Sequence, residues 1–217
     1  MSKVLITAGC TTVPIDQVRV ISNIFKGRTG TSIAEYFSRH HEVTLVTSNP
    51  ALTAGDRKFK VIAYRTFDDL AAVMEDEIVT RKYDTIIHSA AVSDYRVAGI
   101  FSKNPDGSLV PVDANNKVSS SHDELFMRFT PTEKLIDKIR PAWGFRGQLV
   151  KFKLEVGISD EKLLEIAGKS MLASRADMIV ANCLEWSAHY AYILEAKGSL
   201  EKVSRRELPE ALMRRLG

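Results

Sequence analysis

An α/β fold built on a doubly wound, mainly parallel sheet is what this sequence predicts, and three observations carry that expectation. Short apolar, β-branched runs recur at Val4 to Ile6, Glu42 to Thr47, Asp84 to Ser89, Gln148 to Val156 and Asp177 to Asn182. Strands covered on both faces read this way. Between them lie stretches with apolar residues at helical spacing, and alternating strands and helices wind a parallel sheet through right-handed crossovers. Finally, the segments after the first run and after the Asp84 run both leave the same edge of that sheet, which is where open α/β folds bind ligands. The 217 residues suit one well-buried core, so a single domain spanning 1–217 is expected.

The elements follow in order. The first strand ends in Thr7-Ala8-Gly9, a long polar loop follows, and Gly27-Arg28-Thr29-Gly30 forms a turn that opens a helix at Gly30. Ile33, Ala34 and Phe37 share its buried face to about Arg39. Residues 49–58 are turn-rich, Phe59 to Tyr64 is a short third strand, and Phe67, Leu70, Met74 and Ile78 mark a helix to about Lys82. From about 97 to 121, Gly99, Pro105, Gly107, Pro111 and Asn115-Asn116 punctuate a polar stretch that reads as a mobile flap inserted in the domain. Thr130-Pro131-Thr132-Glu133 has the form of a helix start, with Thr as cap, Pro at the first position and Glu closing a capping box. Ser159 caps a later helix buried through Leu163, Ala167 and Met171. Ala191 to Leu194 and Leu200 to Val203 pair as a C-terminal hairpin around Lys197-Gly198-Ser199, ahead of a short basic helix.

Composition removes several function classes. A net charge of +3, from 30 basic and 27 acidic residues without a long basic block, argues against a dedicated nucleic-acid binder. Cys10 and Cys183 have no Cys or His neighbour at ligand spacing, so neither a metal site nor a disulfide framework is expected. No apolar run of about 18 residues exists, and Met1-Ser2-Lys3 leads straight into a strand, which points to a cytoplasmic protein without a membrane segment. The Gly-x-Gly-x-x-Gly, Walker and Gly-x-Ser-x-Gly fingerprints are all absent.

Gly27 to Gly30 at a helix start suits phosphate, and equally suits a plain tight turn. Arg19 and Asn23 on the preceding loop favour the ligand reading, since both can hydrogen-bond an anion or a carbonyl. Asp94, just past a strand, fits a turn residue or a carboxylate for a ribose or a metal ion. Lys117 in the flap and Lys169 on a helix are solvated charges by default, although a flap lysine closing on a triphosphate would neutralise developing charge. Phe152 alternates with Lys151 and Lys153 on one strand, so it faces either the core or a bound base. His88 is expected as a packed core histidine.

Taken together, the blocks ITAGCTTVPIDQVRVISN with its Gly-Arg-x-Gly continuation, HSAAVSDYR, KVSS, FKLEV and ADMIVAN resemble the phosphopantothenate-cysteine ligases of coenzyme A biosynthesis, in their free-standing form. The likeness runs from about residue 3 to 185 in the family's order, and the joint occurrence is far more specific than any one block. It implies a Rossmann-like ligase domain that activates the phosphopantothenate carboxylate with CTP or ATP as an acyl-nucleotidylate, releases pyrophosphate, and passes the acyl group to the cysteine amine. By position it assigns Asn23, Arg19 and Lys117 to substrate binding and acyl transfer. Gly9, Ala90, Asp94, Phe152 and Lys169 go to the nucleotide, and Gly27, Arg28 and Gly30 to substrate or phosphate. It implies Mg²⁺ accompanying the triphosphate, and a homodimer.

Departures from the family pattern lie at Phe25-Lys26, Cys10, Lys151, Ala173 and Cys183. Ala173 stands where a second lysine is expected four residues after Lys169, and Lys26 and Lys151 are the candidate replacements. Two other classes are weighed against the ligase. A short-chain oxidoreductase needs Tyr-x-x-x-Lys, and none of the six tyrosines has a lysine four residues on. A nucleotide-binding relative without turnover would accommodate the departures.

Overall fold

The buried runs become strands whose order decides where a ligand can sit. In the computed structural model, which describes residues 1–53 and 58–216, β1 (Lys3–Ala8) leads into a small hairpin of β2 (Thr12–Pro14) and β3 (Val20–Ser22). Then come α1 (Arg28–Phe37), β4 (Glu42–Thr47), β5 (Lys60–Ala63), α2 (Phe67–Thr80) and β6 (Thr85–His88). β7 (Tyr95–Lys103), β8 (Leu109–Pro111) and β9 (Leu125–Pro131) precede α3 (Leu135–Lys138), β10 (Gln148–Glu155), α4 (Asp160–Ala173) and β11 (Met178–Cys183). β12 (Tyr190–Glu195), β13 (Leu200–Ser204) and α5 (Leu208–Leu216) follow.

The central sheet has eight strands in the order β13-β12-β11-β10-β6-β1-β4-β5. The run from β5 to β11 is parallel, and β12 and β13 are antiparallel. The chain moves outward from β1 through β4 to β5, then crosses back to β6 on the other side of β1. That reversal opens a crevice beyond the carboxyl ends of β1 and β6. Alternate residues of each strand feed opposite faces. Leu5, Ile86, Leu149 and Ile179 pack under α2, α3 and α4, while Val4, Ile6, Val150 and Val180 pack under α1 and α5. This is the doubly wound architecture expected, with the C-terminal hairpin in place.

Several boundaries differ from expectation for identifiable reasons. The first helix starts at Arg28 instead of Gly30, because Gly27 takes a left-handed N-cap conformation with φ +85°. Within the stretch expected as a mobile flap over 97–121, residues 97–103 and 109–111 are strands of a three-stranded antiparallel sheet in the order β8-β7-β9, whose third strand lies beyond the stretch. Pro105 and Gly107 fall at a turn, Pro111 at a strand end and Gly99 at a bulge within β7, which hid the alternation. Thr130-Pro131 does not start a helix: Thr130 pairs with Arg96 and Pro131 with Tyr95 at the end of edge strand β9, where a missing N–H is tolerated. The Thr132 hydroxyl donates to Ser93 O at 2.7 Å, which holds the backbone extended, and the helix waits until Leu135. The β2/β3 hairpin inside the long loop was not foreseen. Residues 54–57 of the turn-rich stretch lie outside the described residues.

Candidate active site

The start of α1 is pressed backbone to backbone against the end of β1. A Cβ on Gly27 would lie 2.5 Å from Gly9 N, and one on Gly30 would lie 2.6 Å from Ser89 Oγ and 2.7 Å from Ala8 Cβ. Gly9 itself has φ +87°, and a Cβ there would meet Ser48 Oγ at 2.1 Å. Only glycine fits at these three positions. The first intrahelical bond runs from Thr31 N to Gly27 O at 3.0 Å, no side chain caps the helix, and its first turn carries no acidic residue. The amides of Arg28, Thr29 and Gly30 therefore have no partner within the helix and present partial positive charge to the crevice.

A cavity of about 580 Å³ opens there, floored by Gly9, Gly27, Gly30, Ala90 and Ala91. Lys26, Arg28 and Arg205 supply cationic walls, Lys153 also borders the cavity with its ammonium paired to Glu155 Oε1 at 2.8 Å, and Phe152 and Asn182 line the side formed by β10 and β11. Phe152 also packs against the core beneath α1 and α5, so one ring serves both packing and cavity. Among the described residues no carboxylate lines this cavity, and no cluster of three or more His, Cys, Asp or Glu side chains could hold a metal ion. The arrangement favours an anion with a flat group beside it.

The β2/β3 hairpin forms the adjoining rim. Asn23 reaches across it, its Nδ2 donating to Ala91 O at 3.4 Å, and its carbonyl accepts from Cys10 Sγ at 3.4 Å. Arg19 is already engaged: Nε donates to Asp16 Oδ2 at 2.9 Å and Nη2 to Val118 O at 2.8 Å. Asp16 also accepts from the amides of Val18, Arg19 and Val118, at 2.8, 2.8 and 3.0 Å. The Arg19 guanidinium and these amides hold its carboxyl well below the usual carboxylate range. Asp16 and Arg19 thus tie the hairpin to the segment that carries Lys117.

The other expected residues sit apart from the cavity. Asp94 is exposed at the start of β7, Lys117 is exposed beside the buried Val118, and neither lines the cavity. Lys169 projects from α4 with a 75% exposed side chain and pairs with Glu165 at 2.6 Å. Lys151, one proposed replacement for the missing lysine, turns away: it is 8% exposed, with Nζ donating to Ser170 O at 3.1 Å and Ser174 Oγ at 3.0 Å beneath α4. His88 is a core residue as expected, sharing a 2.9 Å hydrogen bond with Thr7 Oγ1. Burial, and then the charge of Lys151, push its pKa down to about 4. Lys153, Asn182 and Arg205 were not foreseen. Lys153 was hidden by strand alternation, which predicts faces but not what happens at a strand's end.

The sequence model of the DNA/pantothenate metabolism flavoprotein C-terminal domain matches residues 1–216. The chain belongs to that family. A coenzyme A biosynthesis bifunctional protein CoaBC from Thermococcus kodakarensis is 32% identical over 97% of this chain and 49% of its own length. The chain thus spans about half the length of the curated relatives it matches. A solved DNA/pantothenate metabolism flavoprotein from Streptococcus pneumoniae superposes with a TM-score of 0.82 at 28% identity, covering 99% of this chain and 98% of that one. The Cab2 H337A mutant in complex with phosphopantothenate-cysteine shares the fold at a TM-score of 0.69 and 17% identity, over 98% of this chain and 86% of that one.

Proposed function

We propose that this family member is a phosphopantothenate-cysteine ligase driven by a nucleoside triphosphate. The observation that carries the reading is the glycine cradle, where free α1 amides, Lys26, Arg28 and Arg205 converge on one cavity at the strand switch point. A triphosphate needs that convergence of donors, and Phe152 offers a face for its base. Asn23 and Ala91 at the adjoining rim receive the acyl substrate.

In the first step a carboxylate oxygen of phosphopantothenate attacks the α-phosphorus. An O–P bond forms between carboxylate and α-phosphorus, the bond from the α-phosphorus to the α–β bridging oxygen breaks, and pyrophosphate leaves with one more negative charge, on that oxygen. The helix amides and the cationic wall stabilise that developing charge without reorganising, which lowers the barrier. In the second step the cysteine amine attacks the acyl carbon, the C–O bond to the nucleotide breaks, and the nucleoside monophosphate departs as the amine gives up its proton. Asn23 orients the acyl group, while Lys117 swings from its exposed position to neutralise the departing phosphate. Arg19 acts here through Asp16 and Val118, positioning the Lys117 segment rather than touching substrate. Mg²⁺ would accompany the nucleotide substrate and would further neutralise its phosphate charge. A homodimer accords with the exposed apolar side chains of the hairpin and the three-stranded sheet, Val18, Ile21, Phe126 and Phe129 among them.

The deciding assay combines purified protein, phosphopantothenate, cysteine and Mg²⁺ with CTP or ATP in separate arms, following pyrophosphate release and product mass. Amide formation with at least one nucleotide is expected, and silence with both overturns the reading. Lys117→Gln should still release pyrophosphate and stall before the amide. A second reading, nucleotide binding without turnover, is favoured by Lys169 being spent on Glu165, and tight binding with no pyrophosphate would select it.

A further inference from the structure

Arg205 lies in the turn between β13 and α5, and its amide donates to His189 O at 2.8 Å, so its backbone is fixed by the turn that follows β11. From there the side chain crosses to the first turn of α1, where Nη2 donates to Thr29 Oγ1. Nη1 is shielded from solvent and has no hydrogen-bond partner among the described residues. No carboxylate of the described residues pairs with the guanidinium: neighbouring Glu207 is turned to Ser204 Oγ at 2.7 Å. The side chain borders the main cavity and also a second recess of about 200 Å³, shared with Arg28, Ser32 and Pro209.

A desolvated guanidinium without a counter-ion is costly, and folding retains one where a ligand supplies the charge. Burial alone pulls the Arg205 pKa down, with no opposing charge to offset it. The Arg205 side chain lines the same cavity as the α1 terminus, whose amides at Arg28, Thr29 and Gly30 are unmet. We propose that Arg205 is a direct ligand of the nucleotide's polyphosphate chain, bridging it from the C-terminal hairpin while the α1 amides hold it from the other side. This rests on the nucleotide-binding reading above and adds to it a residue from a different part of the chain. Thr29 holds the fork when the site is empty of anion, and on binding the fork turns so that the unpaired Nη1, shielded until then, meets phosphate.

The test is calorimetric titration of the full chain with inorganic tripolyphosphate, with the nucleoside triphosphate and with the bare nucleoside. Wild-type protein is expected to bind tripolyphosphate, and Arg205→Gln to weaken tripolyphosphate and triphosphate about 10- to 100-fold, the scale of one charge-assisted hydrogen bond. Nucleoside affinity should not change. Arg205→Lys keeps the charge without the fork, and should lose several-fold while reducing the salt dependence little. It also stands in if the glutamine variant fails to fold. Unchanged tripolyphosphate affinity in either folded variant overturns the proposal. So does an equal loss for nucleoside and triphosphate, the mark of a mere tether, or a wild-type protein that ignores tripolyphosphate. Arg205-dependent tripolyphosphate binding without amide formation would instead leave this inference standing and defeat the ligase reading.

Discussion

The two ends of the central sheet each carry a basic hollow, and the anion site we propose belongs to only one of them. At the amino ends of β6, β10 and β11 lies the roomier one, about 920 Å³, bordered by Arg140, Arg146 and Arg175. Its central arginine is fully employed: Arg140 Nε donates to Arg175 O at 2.7 Å, and Nη2 to Asp177 Oδ2 at 2.6 Å and Gly147 O at 3.1 Å. Asp177 in turn accepts from Leu149 N at 2.7 Å. The helix terminus at this end is the C-terminus of α4, whose carbonyls repel anions. At the carboxyl ends the cavity is smaller, yet the first α1 amides and one arm of Arg205 are unmet and the helix terminus has the right polarity. Size and positive charge do not distinguish a site from a structural clamp; unsatisfied donors do.

The contrast can be broken experimentally, beginning with the change of largest effect. Gly27→Ala forces a left-handed alanine and a Cβ into Gly9, so we expect nucleotide affinity to fall at least about 100-fold as the α1 amides are displaced. Near wild-type binding by titration would mean that the cradle is not the anion site. Arg140→Ala should do the reverse. It should cost about 2 kcal/mol of stability in denaturant unfolding, discounted for the half-exposed Asp177, and leave nucleotide affinity unchanged. A loss of nucleotide binding without a loss of stability would turn the amino-end hollow from clamp to site. The smallest effect separates two lysines. Lys26→Ala should weaken triphosphate binding about three- to tenfold, less at high salt, because an exposed lysine is well screened. Lys151→Met should leave triphosphate affinity alone, since its ammonium is held beneath α4. Equal losses for both would contradict the inward orientation of Lys151.

The legibility of the sequence follows the same division. Five strands and the main helices were readable because burial on both faces imposes long apolar runs, and because caps such as Ser159, which accepts from Lys162 N, are local chemistry. The glycine turn before α1 was also readable, since left-handed backbone and close approach both demand glycine. The Thr130-Pro131 segment misled, because the same residue types that cap a helix also end an edge strand, and only the partner strand β7 decides between them. Asp16 was legible in principle from its spacing to Arg19, three residues on, but its reach to Val118 was not.

By itself, then, the sequence determined the α/β class, the strand and helix order, and the presence of a phosphate-friendly turn, all of which depend on backbone sterics and on apolar periodicity within a few residues. Tertiary structure alone decided which charges face the cavity. Lys151 is held beneath α4, whereas Lys153, two residues on in the same strand, borders the crevice and pairs with Glu155. Arg205 meets Thr29 across 176 residues of chain. Local pattern specifies what each segment becomes, whereas the convergence of unmet donors is a property of how distant segments pack, and no spacing along the chain records it.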